Sequence, residues 1–129
     1  MKFITKFPKV FFVFIFLLIC ILVYLSNPLA KSELSIEQYV LEITPMGSNF
    51  DEVLSSIGNK NWKLNFSNES AGFYHQGIQP NRIVGEKSIR ASLGSYQGVP
   101  FKTDVTVFWG FDNSGKMTDI WVWKTRNGI

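Results

Sequence analysis

The sequence predicts an α+β fold: an N-terminal transmembrane helix, then two short helices packed on a four- to five-stranded, mainly antiparallel sheet. Three observations predict it. Val10–Leu25 is an unbroken apolar run, residues 35–58 carry apolar side chains at helical spacing, and from Asn61 the period falls to two. Three segments follow: 1–25 as cytoplasmic lip and anchor, 26–34 as a polar tether, and 35–129 as an extracytoplasmic domain.

The first element is decided by charge as much as by hydropathy. The chain has 129 residues and net charge +3, from 13 Lys and Arg against 10 Asp and Glu. Lys2, Lys6 and Lys9 account for the whole excess, and the first acidic residue is Glu33. Lysines before an apolar run place its N-terminal side in the cytoplasm and the body outside. As a helix, Val10–Leu25 covers roughly 24 Å at about 1.5 Å per residue, with Phe7 and the stem of Lys9 extending it at one end. Ser26-Asn27-Pro28 ends the run, and Pro28-Leu29-Ala30 is a poor cleavage triplet because Pro28 stands where a small residue is wanted. The expectation is therefore a single-pass anchor in contact with the bilayer through residues 10–25, with secretion after cleavage as the alternative. Ile19 before Cys20 and the apolar residues after it argue against a lipoprotein site.

Two helices come next. Ser35 with Gln38 forms a capping-box pattern, Ile36, Val40 and Ile43 share a face, and Thr44-Pro45 ends the first helix. Ser48 caps the second, Asp51 and Glu52 favour its N-terminal dipole, and Phe50, Val53, Leu54 and Ile57 form its buried stripe up to Gly58. Strands are then expected at Trp62–Phe66, Gly72–Gln76 and Ser88–Ser95, with 77–86 as a loop and Gln97-Gly98-Val99-Pro100 as a turn.

Thr103–Phe111 and Met117–Thr125 form the last hairpin across Asp112-Asn113-Ser114-Gly115-Lys116, a type I turn with Gly115 left-handed. Counting outward from Asp112 opposite Lys116 pairs Phe111 with Met117, Phe108 with Ile120, Val107 with Trp121, Thr106 with Val122, Val105 with Trp123 and Asp104 with Lys124. That register puts Trp121 and Trp123 in the core under the helices and leaves Phe108, Ile120 and Val122 on the open face.

Function is less legible than architecture. A body with 10 basic and 10 acidic residues from position 31 onward has no footprint for nucleic acid. One Cys and one His exclude a Cys/His zinc site, and nothing points to any other metal or to a cofactor. His75 beside Tyr74 could act as a base with Glu86 or Asp119, but no nucleophile elbow or other catalytic set accompanies it. Two Asn-x-Ser sequons, at Asn65 and Asn68, matter only in a glycosylating secretory pathway. Aromatics are concentrated at Phe108, Trp109, Phe111, Trp121 and Trp123. The reading is thus a non-enzymatic, membrane-anchored module that binds a protein partner at the cell envelope. Its candidate contacts are Phe108, Ile120, Val122, Tyr74, His75 and Trp109. The alternatives are a small hydrolase or ligand-binding protein using His75 and Tyr74, and an inhibitor or immunity-like protein.

The motifs Pro45-Met46-Gly47-Ser48, Gly72-Phe73-Tyr74, Val84-Gly85-Glu86-Lys87-Ser88-Ile89 and Val105-Thr106-Val107-Phe108-Trp109-Gly110-Phe111-Asp112 resemble those of an uncharacterised family of small exported bacterial proteins. The resemblance implies export and relatives, without a chemistry. The Gly47–Gly58 helix, with Val53-Leu54 and Ile57-Gly58, also looks like the second helix of the SmpA/OmlA and β-lactamase-inhibitor-protein type of module. Those modules set two short helices against an antiparallel sheet and are built for protein contacts. They are usually lipid-anchored through Cys, and the present chain departs from them there.

Overall fold

The computed structural model describes residues 9–26, 28–97 and 101–127, with side chains described for all but 23–26, 28 and 127. Lys2, Lys6, Phe7 and the 98–100 part of the expected turn lie outside the described residues. The chain is α+β, with three helices and a four-stranded antiparallel sheet.

Helix α1, Lys9–Ser26, is apolar on all sides, and its side chains from Lys9 to Leu22 are exposed. Among the described residues no helix is long and apolar enough to cross a membrane, so the expected transmembrane helix finds no support in the fold. A 3-10 turn, Pro28–Ala30, follows, and Leu29 of this expected tether packs against the core.

Helix α2, Glu33–Ile43, starts one turn earlier than expected. Its N-cap is Ser32, whose hydroxyl accepts from the Ser35 amide at 3.2 Å, leaving Glu33 in the first turn. Helix α3, Phe50–Asn59, is capped by Asn49 rather than Ser48. The Glu52 carboxylate accepts from the Asn49 backbone and side-chain amides, while the Ser48 hydroxyl donates to the Pro45 carbonyl at 2.6 Å. Ile36, Val40, Phe50, Val53 and Ile57 are buried, the spacing that an apolar stripe on each helix requires. The left-handed residue that turns the chain after α3 is Asn61, at φ 57°, not Gly58.

The four-stranded sheet runs β1 (Lys63–Asn68), β4 (Lys87–Gln97), β5 (Lys102–Phe111), β6 (Met117–Asn127), in the order β1-β4-β5-β6. The strand expected around 72–76 exists as β2 (Phe73–His75) but belongs to a separate hairpin. Its partner is β3 (Arg82–Val84), within the stretch expected to be a loop. Three residues between Asn81 and Gly85 are too few to display a period of two, which is why β3 escapes notice in the sequence.

The turn between β5 and β6 forms as expected. Asp112 Oδ1 accepts from the Ser114 amide, the Ser114 hydroxyl and the Lys116 amide, and Gly115 sits at φ 85°. The Ser114 hydroxyl above all, then the Lys116 amide, hold the Asp112 carboxyl below its ordinary pKa.

Beyond the turn the register departs from the simple count. Phe111 does pair with Met117, but Gly110 pairs with Asp119, so Thr118 is an extra residue on β6. Every later pair moves by one: Trp109 faces Ile120, Phe108 faces Trp121, Val107 faces Val122, Thr106 faces Trp123, and Val105 faces Lys124. Thr125 rather than Lys124 thus lies opposite Asp104, and Lys124 donates instead to the Lys31 carbonyl and to the Tyr96 hydroxyl at 3.3 Å. Because side chains alternate, one inserted residue exchanges the two faces of β6. The face toward the helices is Ile89, Ala91, Val105, Val107, Trp109, Phe111, Ile120 and Val122, whereas Trp121 and Trp123 lie on the other. The expected assignment of these four β6 residues to core and open face is therefore reversed.

Trp109, fully buried, keys the helices to the sheet. Its indole Nε1 donates to the Thr44 hydroxyl at 3.1 Å, that hydroxyl donates to the Val40 carbonyl at 2.9 Å, and Trp62 stacks on the indole at 6.3 Å.

Candidate binding groove

The second sheet face is covered in part by the β2–β3 hairpin. Phe73, only 2% exposed, is the side chain that seats it. It can descend onto β5 because position 110 is glycine: a Cβ there would lie 3.1 Å from the Phe73 ring. The buried Ser88 hydroxyl donates to the Ala71 carbonyl at 2.9 Å and ties the hairpin's entry to β4. In the hairpin loop the Asn81 side-chain amide lies among the carbonyls of Gln76 and Ile78 and the Tyr74 hydroxyl; with its nitrogen assigned toward the two carbonyls, its oxygen accepts from Tyr74.

Docked in this way, the hairpin completes a cluster of aromatic rings. Trp121 has four ring neighbours, all within 23° of parallel: His75 at 4.2 Å, Phe108 at 4.8 Å, Trp123 at 5.4 Å and Phe73 at 6.3 Å. Phe108 and Trp121 meet because they are direct cross-strand partners, and Trp121 and Trp123 because they stand two apart on one strand.

Beside the cluster lies an open groove of about 310 Å³, lined principally by Phe66, Tyr74, Arg90, Phe108, Trp121 and Trp123. A bulge between Leu64 and Phe66 breaks the expected common face of Trp62, Leu64 and Phe66 and brings Phe66 opposite Arg90. Among the described residues, Arg90 is the only charged one lining the groove. Its guanidinium lies over the Phe108 ring at 5.4 Å, and its Nε is buried with no hydrogen-bond partner among the described residues.

Of the residues singled out in the sequence, Phe108, Tyr74 and His75 come together on this face. Ile120, Val122 and Trp109 do not: they face the helices, Ile120 half-buried and the other two buried. Phe66, Phe73, Arg90, Trp121 and Trp123 are the members that sequence reasoning missed or placed elsewhere. The alternation of Arg90 against Ile89 and Ala91 was a usable signal, whereas the bulge at Thr118 left none.

The His75 Nδ1 accepts from the Gly77 amide at 3.0 Å, so the neutral ring carries its proton on Nε2. Partial burial, reinforced by Arg82 and opposed by Asp119, holds its pKa below the ordinary 6.5. Asp119 is thus a carboxylate that acts on it. No group of three or more His, Cys, Asp or Glu able to hold a metal ion occurs among the described residues. Comparison with protein-family models, curated proteins and solved structures finds no match.

Proposed function

We propose that the chain is a non-catalytic binding module held at a membrane, whose recognition surface is the aromatic groove on the sheet face away from the helices. The observation that carries this reading is the groove itself: a rigid stack of rings around Trp121, an open cavity beside it, and an unpaired arginine atom in its wall. Large aromatics and Arg are the residues that dominate binding surfaces, because they bury much area at little entropic cost. A partner seated there would cover Phe66 and Tyr74, which are 40% and 51% exposed.

The membrane part of the reading is supported by α1. Its described side chains beyond Lys9 are uncharged and exposed, an arrangement that water disfavours and lipid accepts. The 18 residues of α1 amount to roughly 27 Å, short of about 30 Å of hydrocarbon, so the proposed membrane contact rests on its exposed apolar surface and not on its length. With three lysines on its N-terminal side, the body would lie outside the cytoplasm. Kinship with the small exported proteins whose motifs the chain resembles accords with this placement and is part of the proposal.

The test is site-specific photo-crosslinking in intact cells. A benzophenone residue at position 66 or 74 is expected to give a discrete adduct, and one at Leu34, exposed on α2, is not. Equal labelling at all three positions, or none at 66 and 74, rejects the groove as recognition surface. Alkaline carbonate extraction decides the membrane part separately: release into the supernatant would refute it.

A further inference from the structure

Resting on that reading of the groove, we propose that its occupant is the C-terminal end of an apolar peptide segment, with the terminal carboxylate on Arg90. Three observations select this ligand. The first is the charge: among the described residues no acidic side chain lines the groove, and Arg90 is its single cation. The second is the state of that cation: its Nε is buried with no acceptor among the described residues, so no group of the described fold competes with a ligand at that atom. A carboxylate matches the planar fork of an arginine and can accept two parallel bonds from it.

The third is the apolar wall: Phe66, Phe108, Trp121 and Trp123 give the groove an aromatic lining that suits an aromatic or branched side chain beside the carboxylate. At about 310 Å³ the groove is at the lower bound of ligand cavities, room for roughly one or two residues. It therefore fits a chain end better than a strand passing through.

The experiment titrates the detergent-solubilised full-length protein with N-acetyl-leucyl-phenylalanine, as the free acid and as the C-terminal amide, following heat and indole fluorescence. The free acid is expected to bind at least about tenfold more tightly than the amide, the usual worth of a hydrogen-bonded charge. Arg90→Gln is expected to abolish that preference, so that acid and amide bind alike. Equal affinity for acid and amide in the unaltered protein overturns the carboxylate assignment but leaves the groove as a recognition surface. Binding of neither overturns this proposal, and the crosslinking at positions 66 and 74 then judges the broader reading by itself. Because the acid–amide comparison needs no variant, misfolding of Arg90→Gln cannot obscure the result.

Discussion

Replacing Thr44 by Val tests whether Trp109 is the key between helices and sheet. Valine keeps the shape and β-branching of threonine and removes only the hydroxyl. Thr44 is 2% exposed and Trp109 fully buried, so no water reaches the indole N–H once its acceptor at 3.1 Å is gone. The Val40 carbonyl, the hydroxyl's own acceptor, is not orphaned, because the Thr44 amide also donates to it at 2.8 Å. The loss therefore reduces to one buried, unpaired N–H, about 1–3 kcal/mol. For a domain of this size each kcal/mol lowers Tm by about 4–8 °C, so a fall of roughly 5–20 °C is expected. Trp109→Phe removes the same N–H from the other side and carries its own packing loss. Combining the two should recover at least about 1 kcal/mol relative to their sum, whereas uncoupled sites add to within about 0.5 kcal/mol. Urea denaturation of the four proteins is the assay. An unshifted midpoint for Thr44→Val, or strict additivity, would refute the reasoning.

Further predictions bear on the register, the helix face and the one histidine. Deleting Thr118, the bulged residue, should leave Phe108 opposite Trp121 and the near-ultraviolet circular dichroism close to unchanged. Deleting Val122 would put Trp123 into the helix-facing core and should abolish cooperative unfolding. Ile36→Ala, at a fully buried site on α2, should reduce stability by about 2–5 kcal/mol. Ile83→Ala, on the 66%-exposed outer side of the hairpin, should change stability by no more than about 0.5 kcal/mol by the same denaturation assay. The His75 Cε1 proton, free of overlap because the chain has one histidine, should titrate below 6.5 by NMR. Since the folded ring then binds fewer protons than the unfolded one, its contribution is complete above pH 6.5 and declines as pH falls through the folded pKa. His75→Phe, which keeps a ring on Trp121, should lack that component of the acid-side decline in Tm.

What could be read from the sequence follows from what repeats. Ile36 and Val40, or Phe50, Val53 and Ile57, recur at helical spacing, so both helices were legible although each cap lay at a neighbouring hydroxyl or amide. Asp112 and Gly115 made the turn legible because each has one conformational job there. The faces of β6 were not legible, because a single bulged threonine inverts everything after it and threonine is as common in regular strands as in bulges. Phe66 was misplaced for the same reason, by the bulge before it. The docking of the hairpin depended on Phe73 meeting Gly110, residues 37 positions apart that no local pattern connects.

The inversion at Thr118 also bears on function. Had the simple count been right, Trp121 and Trp123 would have filled the helix-facing core, and the second face would have carried Ile120 and Val122, apolar but without polar handles. With the bulge, the helix face receives the smaller branched residues that close packing under α2 and α3 favours. The indoles go instead to the face that holds Arg90, the hairpin and the groove. Stability alone does not ask for this. Burying Ile120 and Val122 leaves a sufficient core, whereas keeping an arginine atom unpaired beside the Phe108 ring is unfavourable for folding. A feature that folding tolerates but does not need is best understood by what approaches from outside. On the proposed reading, that approach is to the groove walled by Trp121 and Arg90.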